Sequence, residues 1–146
     1  MEDQKMKKYI DSNDFFKDWM LSEMLSMTNE ALIIVDEIKS TLKQLEILTP
    51  TSLEFKLLLY YARECFLEMN EVLKEILIEL GDEDFYSESR FIPTNIGTLV
   101  RNLFKILESI EKSILHGDYR GAATLSSVAN NLINSIMLEG FPSDAS

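Results

Sequence analysis

The stretch MLSEMLSMTNEALIIVDEIKSTLKQL, residues 20–45, decides the fold. Met20, Met24, Met27, Ala31, Ile34, Ile38, Leu42 and Leu45 recur at steps of three and four. That spacing keeps their side chains on one side of a helix, in near-heptad register. Leu21, Leu25, Leu32 and Val35 widen the stripe, as a bundle helix requires. Upstream lie Asp11, Ser12, Asn13 and Asp14, each able to accept a hydrogen bond from an orphan N–H, so the helix is expected to start there. Downstream, Pro50 cannot continue the backbone ladder and disfavours helical geometry at Thr49. The expected helix is about 34 residues, or roughly 50 Å.

The same reading carries on along the chain. Thr51 with Glu54 fits a capping box for a second helix. Its stripe is Leu58, Ala62, Cys65, Met69, Val72 and Ile76, and Gly81 supplies the left-handed residue after its end. A third helix is expected after Pro93-Thr94-Asn95, with Leu99, Leu103, Ile106, Leu107, Ile110 and Ile114 inward. His116-Gly117-Asp118 reads as a glycine stop followed by an aspartate restart. The fourth helix shows Ala122, Leu125, Ala129, Leu132 and Ile136 and ends at Gly140. Residues 82–93 form the one long connection, and its Phe85, Tyr86 and Phe91 are expected to fold back onto the bundle. Short connections between long helices imply antiparallel neighbours. The reading is therefore all-α: one domain over residues 1–146, an antiparallel up-down-up-down four-helix bundle with two longer N-terminal helices. The tails, about 1–10 and 141–146, are expected to fray.

Composition agrees with one soluble core. Of the 146 residues, 46% are apolar and 27% charged, an ordinary globular balance. The single cysteine, Cys65, excludes an internal disulfide and fits a reducing compartment. Met1 to Tyr9 is charged with no apolar run behind it, so no signal peptide is expected, and no stretch is long enough for a membrane span. The expected location is cytoplasmic. The formal net charge of −11 works against nucleic-acid binding, which needs lysine and arginine at phosphates. Residues 51–90 hold ten acids and four bases. That imbalance serves solubility, or steers a basic partner.

The expected helix lengths do not match. Two short helices packed from the 82–93 loop would leave the long pair uncovered near the 49–52 turn, by roughly 12 Å. That region is apolar on all sides: Leu42, Leu45, Phe55, Leu57, Leu58, Tyr60 and Tyr61 lie there together. Left bare, such a patch marks an interface. The expected occupant is a client helix or a second copy of the chain. The competing reading is that the loop or the N-terminal tail covers it.

Side chains for chemistry are scarce. Glu64, Glu68, Glu71, Glu75 and Glu79 form a one-sided ladder, but a di-iron bundle also needs Glu-x-x-His on two helices, and His116 is the only histidine. The ladder reads as a solvated face, or as a strip for a cationic partner. His116 at a helix end suits capping and the helix dipole, although helical phosphotransfer domains do use a histidine. Cys65 falls on the core stripe, where burial makes a thiol inert. No catalytic residue, metal site, cofactor or small-molecule substrate is assigned. The methionines are core filler first and a malleable client surface second. Phe15, Phe16 and Trp19 read as packing anchors.

The last hairpin runs from Leu99-Val-Arg-Asn-Leu-Phe-Lys through His116-Gly-Asp-Tyr into the Ser126–Met137 helix. It resembles flagellin-type secretion chaperones over about the final third of the chain. The resemblance implies a small helical bundle that holds a disordered export substrate against an apolar surface. It carries over no functional residue. The expectation is a non-enzymatic helical module that binds another protein, as an export-type chaperone or an adaptor. The alternatives are a structural homodimer and, third, a phosphotransfer domain.

Overall fold

The structure is a computed structural model that describes the backbone of residues 2–82 and 92–139 and the side chains of residues 17–82 and 92–139. It consists of four helices: α1 (Glu2–Glu46), α2 (Leu53–Glu79), α3 (Ile96–Leu115) and α4 (Tyr119–Glu139). The described residues contain no strand.

The turn chemistry explains where most helices stop. Gly81, at φ 84, lets Asp82 N–H reach back to the Leu77 carbonyl at 2.8 Å. Gly117, at φ 76, does the same for Asp118 and the Ser113 carbonyl, also at 2.8 Å. Both glycines adopt the left-handed geometry that side chains disfavour. Asn95 caps α3 by accepting from Gly97 N–H at 2.7 Å, and Asp118 caps α4 by accepting from Gly121 N–H at 2.9 Å. For α2 the cap lies one residue later than the capping box placed it. Ser52 Oγ accepts from Phe55 N–H at 3.2 Å, so Thr51 and Glu54 do not form the reciprocal pair.

The start of α1 differs more. The Asp11–Asp14 cluster lies inside the helix, which begins at Glu2. No glycine or proline occurs between residues 1 and 49 to break it. Capping residues favour a helix start but do not compel one.

Packing between helices gives the topology. Four pairs pack side by side: α1 with α2, α2 with α4, α3 with α4, and α1 with α3. Neither α2 with α3 nor α1 with α4 packs side by side, so those pairs are diagonals of a square, and α1 meets α4 through the hydrogen bond between Thr28 and Tyr119 at the start of α4. Lys39 meets Glu111, and Leu45 lies by Ile96 and Val100. Residue numbers fall along α1 as they rise along α3, so those two helices are antiparallel. Asp82 meets Arg120, while Asn70 meets Ser126 and Ser127, so α2 and α4 are antiparallel as well. Glu37 meets Tyr61 across the α1–α2 hairpin. Both α2 and α3 therefore oppose α1 and run parallel to each other. This corrects the expected up-down-up-down order, which assumed that chain neighbours are spatial neighbours. The connection after α2 is long enough for its ends to lie apart: Asp82 sits by the start of α4, and Ile92 N–H donates to Ser135 Oγ near the far end of that helix. Phe85, Tyr86 and Phe91, expected to fold back onto the bundle, lie outside the described residues.

The core is continuous from Ala31 to Leu45 in α1, Phe55 to Leu77 in α2, Leu99 to Ile114 in α3, and Ala122 to Ile136 in α4. One polar cluster interrupts it between α2 and α4. Asn70 Nδ2 lies 3.0 Å from the Ala123 carbonyl, 2.6 Å from Ser126 Oγ and 3.0 Å from Ser127 Oγ. Buried amides need such partners, and meeting them fixes how α2 and α4 slide against each other.

Candidate functional site

The expected shortfall near the 49–52 turn is filled. Leu42, Leu45 and Phe55 are at most 1% exposed. They are roofed because α3 starts at that end, with Ile96 and Val100 beside Leu45, Leu48 and Phe55. Those three residues have no surface left to offer a partner. Among the described side chains of α1, Met24 and Met27 pack against the core and Ala31 is fully buried.

The remaining residues of the expected patch divide by face. Leu58 packs partly against the core. Leu57, Tyr60 and Tyr61 stay 58%, 46% and 45% exposed. Residues 57 and 60 belong to an outward seam of α2 made of Leu53, Leu57, Tyr60, Glu64, Leu67, Glu71, Lys74 and Ile78, all exposed. Its steps alternate four and three, the spacing of a coiled-coil face. Five of the eight positions are apolar or aromatic. The helix thus carries two such seams. The inward one, including Leu59, Phe66, Met69, Leu73 and Ile76, is buried in the core. Leu67 and Ile78 were missed from sequence because the inward stripe claimed the periodic signal. A second register at 53, 57, 60, 64 and 67 was there to be read.

The border of the seam toward α1 is held by hydrogen bonds. Tyr61 hydroxyl donates to Glu37 Oε1 at 2.8 Å. That bond, then the contact with Cys65, holds the phenol well above its ordinary pKa. Behind it Cys65 is buried, and desolvation raises its thiol pKa. A thiol kept protonated in this way is a poor nucleophile. Glu64 and Glu71 in the seam, and Glu68, Glu75 and Glu79 along the same border as Tyr61, are all exposed. The seam is therefore apolar toward the 49–52 turn and increasingly acidic toward Gly81.

His116 is exposed at the end of α3, with Nδ1 2.7 Å from the Lys112 carbonyl. Among the described residues no group of three or more His, Cys, Asp or Glu is placed to hold a metal. No described helix is long and apolar enough to cross a membrane. Comparison with known proteins finds no matching family, no matching characterised protein and no matching solved structure.

Proposed function

We propose that this protein is a non-enzymatic helical module that holds a helix of another protein against the outward seam of α2. The observation that carries the reading is that seam: Leu53, Leu57, Tyr60, Leu67 and Ile78 at coiled-coil spacing on an exposed face. Folding the bundle does not require apolar residues there, whereas docking a helix does. An export-type chaperone or a small adaptor, as the C-terminal resemblance implies, would use a surface of this kind.

Magnitudes constrain the partner. Covering the exposed parts of these five side chains recovers about 1 kcal/mol each, on the order of 5 kcal/mol in all. Association alone costs at least about 4 kcal/mol. Apolar contact on the seam thus supports only weak binding. The partner helix needs basic residues to meet Glu64, Glu68, Glu71 and Glu75, which also fix its direction along α2.

Co-purification from the native host, read by mass spectrometry, tests the proposal with the wild-type chain against Leu57→Asp and Leu67→Asp. A protein retained by the wild type and lost from both variants, at unchanged melting temperature, is the expected result. Identical captured sets from all three overturn the proposal.

A further inference from the structure

We infer that the outward seam of α2 selects its occupant by the side on which charges lie. It takes a helix with bases along the edge beside α1 and acids along the edge beside α4, and it refuses a second copy of this chain. That selectivity rests on the docking role proposed above and adds to it the charge pattern of the partner.

Contacts within the bundle fix the two borders of α2. Tyr61 reaches Glu37 of α1. Glu54, Glu68 and Glu75 stand at steps of seven from Tyr61, and Glu79 lies one turn beyond Glu75. Asn70 reaches Ser126 and Ser127 of α4. Arg63 and Lys56 stand at steps of seven from Asn70, and Lys74 lies one turn beyond it. Residues seven apart share a helix face. The charges of α2 are therefore sorted. Its bases all border α4, and its acids border α1 or, as Glu64 and Glu71, stand in the seam.

Solubility alone does not ask for this order. Opposite charges four residues apart stabilise a helix, and like charges there destabilise it. Glu64 and Glu68, Glu71 and Glu75, and Glu75 and Glu79 are like pairs at that spacing. Glu37 adds another acid at the α1 border. Bases brought by a docked helix would relieve that repulsion.

A second α2 does not supply them. Laid parallel, two copies of the seam set each residue against itself, so Glu64 meets Glu64, Glu71 meets Glu71 and Lys74 meets Lys74. Laid antiparallel, the edges meet like with like, and the acids beside α1 face the same acids of the other copy. A different helix escapes both conflicts. It places apolar residues on Leu53, Leu57 and Tyr60, and lysines on Glu64 and Glu71. Along its edges it places bases by Glu68 and Glu75 and acids by Arg63 and Lys74.

Two synthetic helical peptides of identical composition test the inference by fluorescence anisotropy against the full chain. Both are apolar at the C-terminal end, which antiparallel docking sets on Leu53, Leu57 and Tyr60, and both carry lysines opposite Glu64 and Glu71. The first has lysines along the edge that meets Glu68 and Glu75 and glutamates along the edge that meets Arg63 and Lys74. The second has those edges exchanged. Turning it round to recover the edges would set its lysines on Leu53 and its apolar end on Glu71. The first peptide is expected to bind at least roughly tenfold more tightly, a difference of about 1.4 kcal/mol. Glu68→Lys with Glu75→Lys abolishes the preference. In sedimentation equilibrium the wild type is expected at the single-chain mass of 16.8 kDa. Glu64→Leu with Glu71→Leu and Lys74→Leu is expected to pair. Equal affinities, or binding of neither peptide, overturn the inference. So does a wild type that pairs and loses the pairing in Leu57→Asp, and so does a triple variant that stays single. Equal affinities that are both lost in Leu57→Asp overturn the charge selection alone. Peptide binding that survives Leu57→Asp removes the docking role of the seam as well.

Discussion

The helices α2 and α3 occupy one diagonal of the bundle and point the same way, yet they treat solvent differently. The outward face of α3 carries Arg101, Lys105, Glu108, Lys112 and Leu115 at steps of four and three. The equivalent face of α2 carries Leu53, Leu57, Tyr60, Glu64, Leu67, Glu71, Lys74 and Ile78. Spacing and exposure match; composition does not. One strongly one-sided helix shows what folding and solubility ask of a bundle member. What α2 adds beyond that needs another cause, and the docking role proposed above would supply one. Surface hydrophobics scattered singly need no explanation. A row of them at the period that helices use to grip each other does.

Breaking the inner seam of α2 and breaking its outer seam should therefore give opposite phenotypes. Phe66→Ala leaves a cavity in the core and is expected to cost about 3–5 kcal/mol in chemical denaturation. Leu57→Ala, on the outer seam, is expected to shift stability by no more than about 0.5 kcal/mol. Equal losses at both positions would mean that the outer seam is covered within the chain.

The polar cluster sharpens the contrast from within the core. Asn70→Ala removes a donor that Ser126, Ser127 and the Ala123 carbonyl share. The expected loss is about 1–3 kcal/mol, since Ser126 Oγ loses its buried donor while the Ala123 carbonyl keeps the bond from Ser126. Ser52→Ala removes the α2 cap and should cost about 1 kcal/mol. Thr51→Ala should cost less, because Ser52 and not Thr51 accepts from Phe55 N–H. A larger effect at Thr51 would restore the capping box expected from sequence.

Alkaline pH gives the smallest effect. Cys65, Tyr61 and Lys39 all titrate above their ordinary values: Cys65 by burial, Tyr61 by its bond to Glu37, and Lys39 by its bond to Glu111. A raised folded pKa means that the native state holds the proton more tightly. The associated stability is then full below the ordinary value and drains away as pH rises through the raised one. The thiol's ordinary value is the lowest of the three, so the denaturation midpoint should stay flat near neutrality and begin to fall above about pH 9. Tyr61 and Lys39 contribute little, because solvent screens them. Cys65→Ala should delay the onset, and a fall that starts below neutrality would contradict these directions.

Much of the fold was legible in the residues. Asn95, Gly81, His116-Gly117 and Asp118 mark helix ends because each satisfies a specific orphan backbone group. The inward stripes of α1 and α3 follow from periodicity alone. The order of helices around the square was not legible, because it depends on where a long connection delivers the chain and not on any local preference. That one difference brought the start of α3 to the 49–52 turn. It also buried Leu42, Leu45 and Phe55 while leaving Leu57, Tyr60 and Tyr61 on the surface. Apolar composition pointed to one stretch of α2, but only burial separated its two faces.

Site-specific photo-cross-linking in the native host tests the central claim most directly. A photoreactive phenylalanine analogue placed at Tyr60 or Leu67 should trap a discrete species heavier than the chain, while the same group at Lys105 on α3 should trap none. Equal yields at all three positions, or no adduct at Tyr60 and Leu67, would contradict a docking role for the outward face of α2.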